Sequence, residues 1–283
     1  MRRTPGRGQL ALTSPVPGLI RLARDLARED RNLAILGEGN VGADAGDGTF
    51  WVKASGTRMA TATPASFVRV RRRAVLQLLE QRGQRGTEDA AVMAGLRGCV
   101  VLGRQGRPFA SPRKAGLAQP STESFLHALA QTEAGAKWVG HTHPEAVLGI
   151  LCSRLGAKPF LGGLFPDAIV YCGLVPAVVP YVDPGVKLAL AFRNTLRRYR
   201  TTYGHPPRLV LLENHGIVAI GETADEVLNI SCMAEKWARV LLGIMTAGGP
   251  RYLSRQQASH IDTWPAEHYR RRLALGRKST LGK

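Results

Sequence analysis

The stretch 138-WVGHTHPEAVLG-149 sets His141 and His143 two residues apart at the end of an apolar run, with Pro144 directly behind them. In an extended strand residues i and i+2 project from one face, so both imidazoles stand on the same side of the chain. Two neutral imidazoles so placed can reach a single ion, at about 2.0–2.1 Å for zinc. Two ordinary core or surface histidines would have the same spacing, so the pair needs company. His215 is a third imidazole, at the turn between the two apolar runs of 209-LVLLENHGIVAIG-221. A histidine at a turn is commonly structural. Three of them on rigid strand ends would nevertheless leave a fourth position open to water or substrate, as catalytic zinc sites do. Glu123 opens the helical stretch just before the His141 strand. A carboxylate in a first helical turn favours the helix dipole; beside a metal it is a fourth ligand or a general base.

A second group of residues suits an anion. Asn40 in 37-GEGN-40, Ser55 and Gly56 in 55-SGT-57, and Ser121 and Thr122 combine hydroxyls with glycine-rich turns and a helix start. Backbone N–H groups at such turns and helix starts bind negative charge. Lys53 adds a cation nearby in sequence. None of these stretches fits the spacing of a dinucleotide fingerprint or a phosphate-binding P-loop, which argues against nucleotide binding.

The elements that must position these residues are legible from periodicity. Helical spacing runs over 18–30, 64–81, 121–135, 145–153, 185–199 and 223–245, with Thr223 as a cap for the last. Extended segments are expected at 49–57, 137–143, 168–173, 175–182 and 208–221, and 36–48 reads as a glycine-rich loop. Strands and helices alternate, yet some strands are too closely linked for βαβ crossovers. A single α/β domain with a mixed sheet follows.

Composition bounds the function. The chain has 283 residues, 44% hydrophobic and 21% charged, enough for a globular core. No apolar run approaches the roughly 20 residues that span a bilayer. The basic N-terminus lacks an apolar signal segment, and a cytoplasmic protein with no membrane partner is expected. Cys99, Cys152, Cys172 and Cys232 are widely spaced, as small apolar residues rather than disulfide partners would be. The formal charge of +18 comes largely from Arg-rich runs at 69–73 and 270–278 and from the N-terminus. Such a balance favours anionic partners. No nucleic-acid-binding signature accompanies it, so a solvated basic surface is the simpler reading.

Taken in order, G-N at 39–40, S-G-T at 55–57, S-T-E at 121–123, H-T-H at 141–143 and N-H-G at 214–216 form a series that resembles the class II aldolase/adducin family. The resemblance covers roughly residues 17 to 245. The W-V-K-A-S-G-T form of the second motif is most similar to the aldolase part of two-domain rhamnulose-phosphate aldolase/dehydrogenases. It implies a three-layer α/β/α domain with a mixed, largely antiparallel sheet over residues 17–247, between a basic tail (1–16) and an Arg-rich extension (248–283). It also implies a divalent metal, usually zinc, on His141, His143 and His215, with Glu123 as acid/base. Asn40, Ser55, Gly56, Ser121 and Thr122 would hold a substrate phosphate, with Lys53 beside them. The expected activity is metal-dependent cleavage of a small ketose phosphate through a metal-stabilised enediolate, in a homotetramer with sites between subunits. Epimerases, dehydratases and decarboxylases share this metal site, and adducin-like members keep the fold as a binding module. The sequence departs from the pattern at Gly42, where Ser or Thr is common. The proton-donating tyrosine of the aldolases has no clear counterpart, with Tyr171, Tyr181 and Tyr252 all eligible.

Overall fold

A computed structural model describes residues 14–85, 89–101, 119–267 and 269. The basic N-terminal run, most of the long 104–120 loop and the Arg-rich run from 270 lie outside the described residues. Among these residues, seven strands form one sheet in the order β3-β2-β1-β4-β7-β6-β5. These are β1 (Asn40–Asp44), β2 (Thr49–Lys53), β3 (Phe67–Arg71), β4 (Trp138–Thr142), β5 (Ala177–Val179), β6 (Leu209–Leu212) and β7 (Gly216–Gly221). Every neighbouring pair is antiparallel except β5 with β6. The expected mixed, largely antiparallel sheet is what the chain builds.

Helices cover both faces, giving the three layers. On one face, α1 (Val16–Leu26), α5 (Glu145–Leu151) and α6 (Pro166–Cys172) pack around the long α8 (Ala224–Thr246). On the other lie α2 (Arg72–Arg85), α3 (Asp89–Gly98), α4 (Ser124–Glu133) and α7 (Val186–Tyr203). The strands alternate between the two cores. Val41 and Ala43 of β1, Leu209 and Leu211 of β6, and Ile217 and Ala219 of β7 enter the α8 side. Val139, Val210, Leu212, Val218 and Ile220 enter the α4 side. Burial on both faces is why these strands read as continuous apolar runs.

Three expectations are corrected. Residues 40–44 were expected in a loop but form β1, because Val41 and Ala43 are buried on one face while Asn40 and Gly42 occupy the other. The helix expected over 64–81 begins only at Arg72. Pro64–Ser66 is a single 3-10 turn, and Phe67–Arg71 pairs with β2 residue for residue. The period-2 burial of Val68 and Val70 decided in favour of the strand. Residues 168–173, expected to be extended, belong to α6. Pro166 sits in its first turn with Asp167, and Ala168, Ile169 and Cys172 fall on one buried helical face. Thr223 does cap α8, accepting from Glu226 N at 3.1 Å. Beyond residue 248, the described part of the C-terminal extension forms α9 (Arg255–Thr263), which packs on α6 and buries Ala258. All four cysteines are free, and Cys152, unlike Cys99 and Cys172, is exposed. Among the described residues no helix is long and apolar enough to cross a membrane.

Trp237 of α8 is 1% exposed and meets the Phe160 ring edge-on at 5.3 Å between centroids. Trp237→Ala is expected to cost about 3–5 kcal/mol, lowering the urea midpoint without changing the m-value; a midpoint shift of a few tenths of that size would contradict the packing described.

Candidate metal centre

His141 is the fourth residue of β4, opposite Asn40 of β1 and Val218 of β7. It points to the α4 face and is 1% exposed. Its Nδ1 donates to the Ile217 carbonyl at 2.8 Å, which leaves Nε2 to face inward. His143 lies just past the strand, on the segment that turns into α5. Its backbone N–H donates to Leu33 O, and its Nδ1 donates to Glu38 Oε2 at 3.1 Å. A carboxylate behind a ring nitrogen fixes the tautomer of a ligating histidine and raises its basicity. Glu38 therefore joins the candidate centre, a residue that sequence reasoning missed though it lies within the quoted 37-GEGN-40 stretch.

His215 comes from the tight turn between β6 and β7. Asn214 takes the left-handed conformation there (φ 55°), one that asparagine tolerates better than most residues. The two apolar runs expected on either side of His215 thus form an antiparallel hairpin. Gly216 follows because no side chain fits: a Cβ would press on the Thr142 carbonyl and lie 2.8 Å from His143 Cδ2. The absence of a Cβ lets the hairpin close onto the H-T-H strand.

The ligand atoms of His141, His143 and His215 all lie within 4.8 Å of one another. His141 Nε2 and His143 Nε2 are 3.0 Å apart. Zinc–nitrogen bonds of about 2.0–2.1 Å at tetrahedral angles put ligand atoms about 3.3 Å apart; the 3.0 Å pair is near that spacing, and the wider set has to draw in slightly to hold one small divalent ion. Both Nδ1–H groups of the H-x-H pair are committed outward, which adds to that fit.

Glu123 occupies the N-cap position of α4 rather than its first turn, and Ser121 Oγ accepts from its backbone N–H at 3.2 Å. Its Oε1 lies 3.3 Å from His141 Nε2 and 3.2 Å from His215 Nε2. Burial opposes a charge on this carboxylate, but the two imidazoles outweigh it and hold the carboxyl well below its usual range. The same pairing raises His141 despite its burial. His143 moves the other way, to about 3, through burial and the charges of His141 and His215. Glu123 thus favours a proton on His141, while burial and the neighbouring rings disfavour one on His143.

The anion group is only partly gathered. Ser55 N donates to Gln119 O at 2.8 Å and Ser121 N to Lys53 O at 3.3 Å, which lashes the 53–57 turn to the start of α4. Lys53 is buried, and Nζ donates to Thr57 O at 2.7 Å. Burial lowers its pKa, with Glu123 opposing. Gly56 turns in the left-handed region (φ 76°) with open space where a side chain would stand. Asn40 gives its Nδ2 to Glu123 Oε2 at 2.6 Å, with Ser121 Oγ at 3.5 Å. Thr122 instead lines a cavity of about 630 Å³ with Met93, Asp183 and Lys187. At Gly42 a Cβ would lie 2.6 Å from His127 Nδ1, so the space of the missing hydroxyl is filled. Of the tyrosines, Tyr252 donates to Pro159 O, Tyr171 packs on the α8-side core and Tyr181 is exposed.

Comparison with known proteins bears on this arrangement. The Class II Aldolase and Adducin N-terminal domain family matches residues 18–242. The uncharacterized oxidoreductase YuxG of Bacillus subtilis (strain 168) is 27% identical over 209 residues, covering 71% of this chain and 26% of its own. The chain thus spans about a quarter of that relative's length. Two solved structures share the fold: an N-terminal class II aldolase domain from Thermoplasma acidophilum has a TM-score of 0.60 at 20% identity, over 86% of this chain and 99% of its own. An L-fuculose 1-phosphate aldolase has a TM-score of 0.62 at 18% identity, over 89% and 96% respectively.

Two outcomes test the centre. Glu38→Ala is expected to weaken zinc affinity by about 10–100-fold, measured by competition with a chromophoric chelator; unchanged affinity would remove Glu38 from the centre. Zinc must also displace the His141 proton, whose pKa is raised above 6.5. Below that raised pKa the proton competes, so affinity should climb with pH through it and then level off. An affinity flat from about pH 6 to about pH 8 would contradict this.

Proposed function

Because the chain belongs to the class II aldolase and adducin family, we propose that it is a metal-dependent lyase that cleaves a carbon–carbon bond of a small ketose phosphate. The observation that carries this reading is the convergence of His141, His143 and His215 with the Glu123 carboxylate at the same nitrogens. A binding module has no need of a complete ligand set with a buried carboxylate inside it, which weighs against an adducin-like role.

In this reading His141, His143 and His215 hold the ion, and zinc suits three imidazoles with a remaining open position. The ion, when bound, supplies a Lewis acid's positive charge to the negative charge that develops on substrate oxygens during cleavage. Ser55, the Gly56 backbone and Ser121 bind the phosphate, with the Lys53 ammonium at the base of the 53–57 turn. Anchoring the phosphate orients the reacting carbons and makes the step effectively intramolecular. Glu123 carries the proton between its carboxylate and the substrate's oxygen or carbon. Asn40 stands between the two groups, on Glu123 Oε2 and near Ser121 Oγ. The reading includes a homotetramer, as the family resemblance implies.

The test is a screen of ketose phosphates and sugar-acid phosphates, with and without chelator, with products read by mass. Two fragments in the chelator-sensitive arm support the lyase. An isomer, a dehydrated product or a decarboxylated one would replace it with an epimerase, dehydratase or decarboxylase on the same site. No conversion and no metal uptake would leave the binding module. Within the lyase reading, His141→Ala is expected to lose most bound metal and activity together. Glu123→Gln is expected to keep much of the metal and lose turnover by at least about 100-fold; full metal occupancy in His141→Ala would refute the site.

A further inference from the structure

His127 lies four residues after Glu123, on the same face of α4. It is fully buried, and its Nε2 is in close hydrogen-bond contact with Asn40 Oδ1. Asn40, 2% exposed, passes the contact on: Nδ2 donates to Glu123 Oε2 at 2.6 Å. An amide oxygen only accepts, so the imidazole proton belongs on Nε2 and Nδ1 is bare. Nδ1 has no hydrogen-bond partner and lies against Gly42. The opposite amide orientation would set Oδ1 against the Glu123 carboxylate and Nδ2 against the ring N–H, so the three groups fix one another's direction.

We infer that His127 is a positioning residue that acts through Asn40, holding Glu123 Oε2 so that Oε1 faces the histidine cluster. The relay runs from His127 Nε2–H to Asn40 Oδ1, and from Asn40 Nδ2–H to Glu123 Oε2. It gives the carboxylate one fixed donor on its outer oxygen and leaves the other oxygen facing the His141 and His215 rings. Gly42 belongs to the same device. A side chain there would push on the ring and on the Trp51 carbonyl, so the glycine admits the imidazole to the strand face beside Asn40. The inference rests on Glu123 being the working carboxylate, but its geometry can be tested without turnover.

The experiment uses the full chain with selective ¹⁵N-histidine and ¹⁵N-asparagine labelling, followed by zinc titration. In the unmodified protein His127 is expected as the neutral Nε2–H tautomer, and the Asn40 side-chain amide downfield of those of Asn32, Asn194, Asn214 and Asn229. His127→Leu should return the Asn40 signal to the range of the others and weaken zinc binding about tenfold. His127→Gln, whose amide can donate to Asn40, should keep the Asn40 signal and most of the affinity. An Nδ1–H tautomer in the unmodified protein, or an Asn40 signal that His127→Leu leaves in place, would overturn the relay. If His127→Leu does not fold, the tautomer and His127→Gln still decide. If zinc does not bind the unmodified protein, the metal reading fails, while the resonances still report on the relay.

Discussion

The pairing of β4 with β7 is the interaction on which the centre depends. His141 and His215 are far apart in sequence, and only the antiparallel register that sets Thr142 opposite Ile217 brings the H-x-H pair against the β6–β7 turn. A slip of one residue would send His141 to the other face of the sheet. The register is held by the core itself, because Ile217 and Ala219 must enter one layer and Val218 and Ile220 the other. β1 on the far side of β4 then places Asn40 directly opposite His141. The end of β4 and the starts of β1 and β7 thus lie together at one rim of the sheet, and the candidate site sits there.

The second constraint is electrical. A carboxylate, three imidazoles, a buried lysine and a neutral histidine lie close together, most of them buried. Burial alone would strip Glu123 of its charge, but the neighbouring rings keep it. His127, which faces no carboxylate directly, is driven to about 3 by burial and by His141 and remains an uncharged hydrogen-bond donor. Two buried histidines thus shift in opposite directions, up where a carboxylate touches the ring and down where none does.

Much of this was legible in the sequence. His141, His143, His215 and Glu123 declare themselves by type and spacing, and the ordered glycine and hydroxyl motifs place them in one family. What could not be read depended on long-range pairing. β1 looked like a loop because its burial is two-sided and its composition rich in glycine, and α6 looked extended because Ile169 and Val170 favour strands until Pro166 and the α8 contact decide otherwise. Glu38 and His127 were hidden for another reason. Each acts on a functional group through a hydrogen bond across the fold, and neither residue carries that partner in its local spacing.

The ends of the sheet show a different economy. β5 is only three residues long and flanked by Pro176 and Pro180, which lack the N–H that another strand would need. At the opposite end, β3 is covered by the Val70–Val100 bridge and by bonds from Arg71 N to Cys99 O and from Val101 N to Arg69 O. Among the described residues, neither margin offers a long open ladder to a stray chain. Such margins blunt the edge-to-edge pairing through which a strongly apolar sheet would otherwise template its own aggregation.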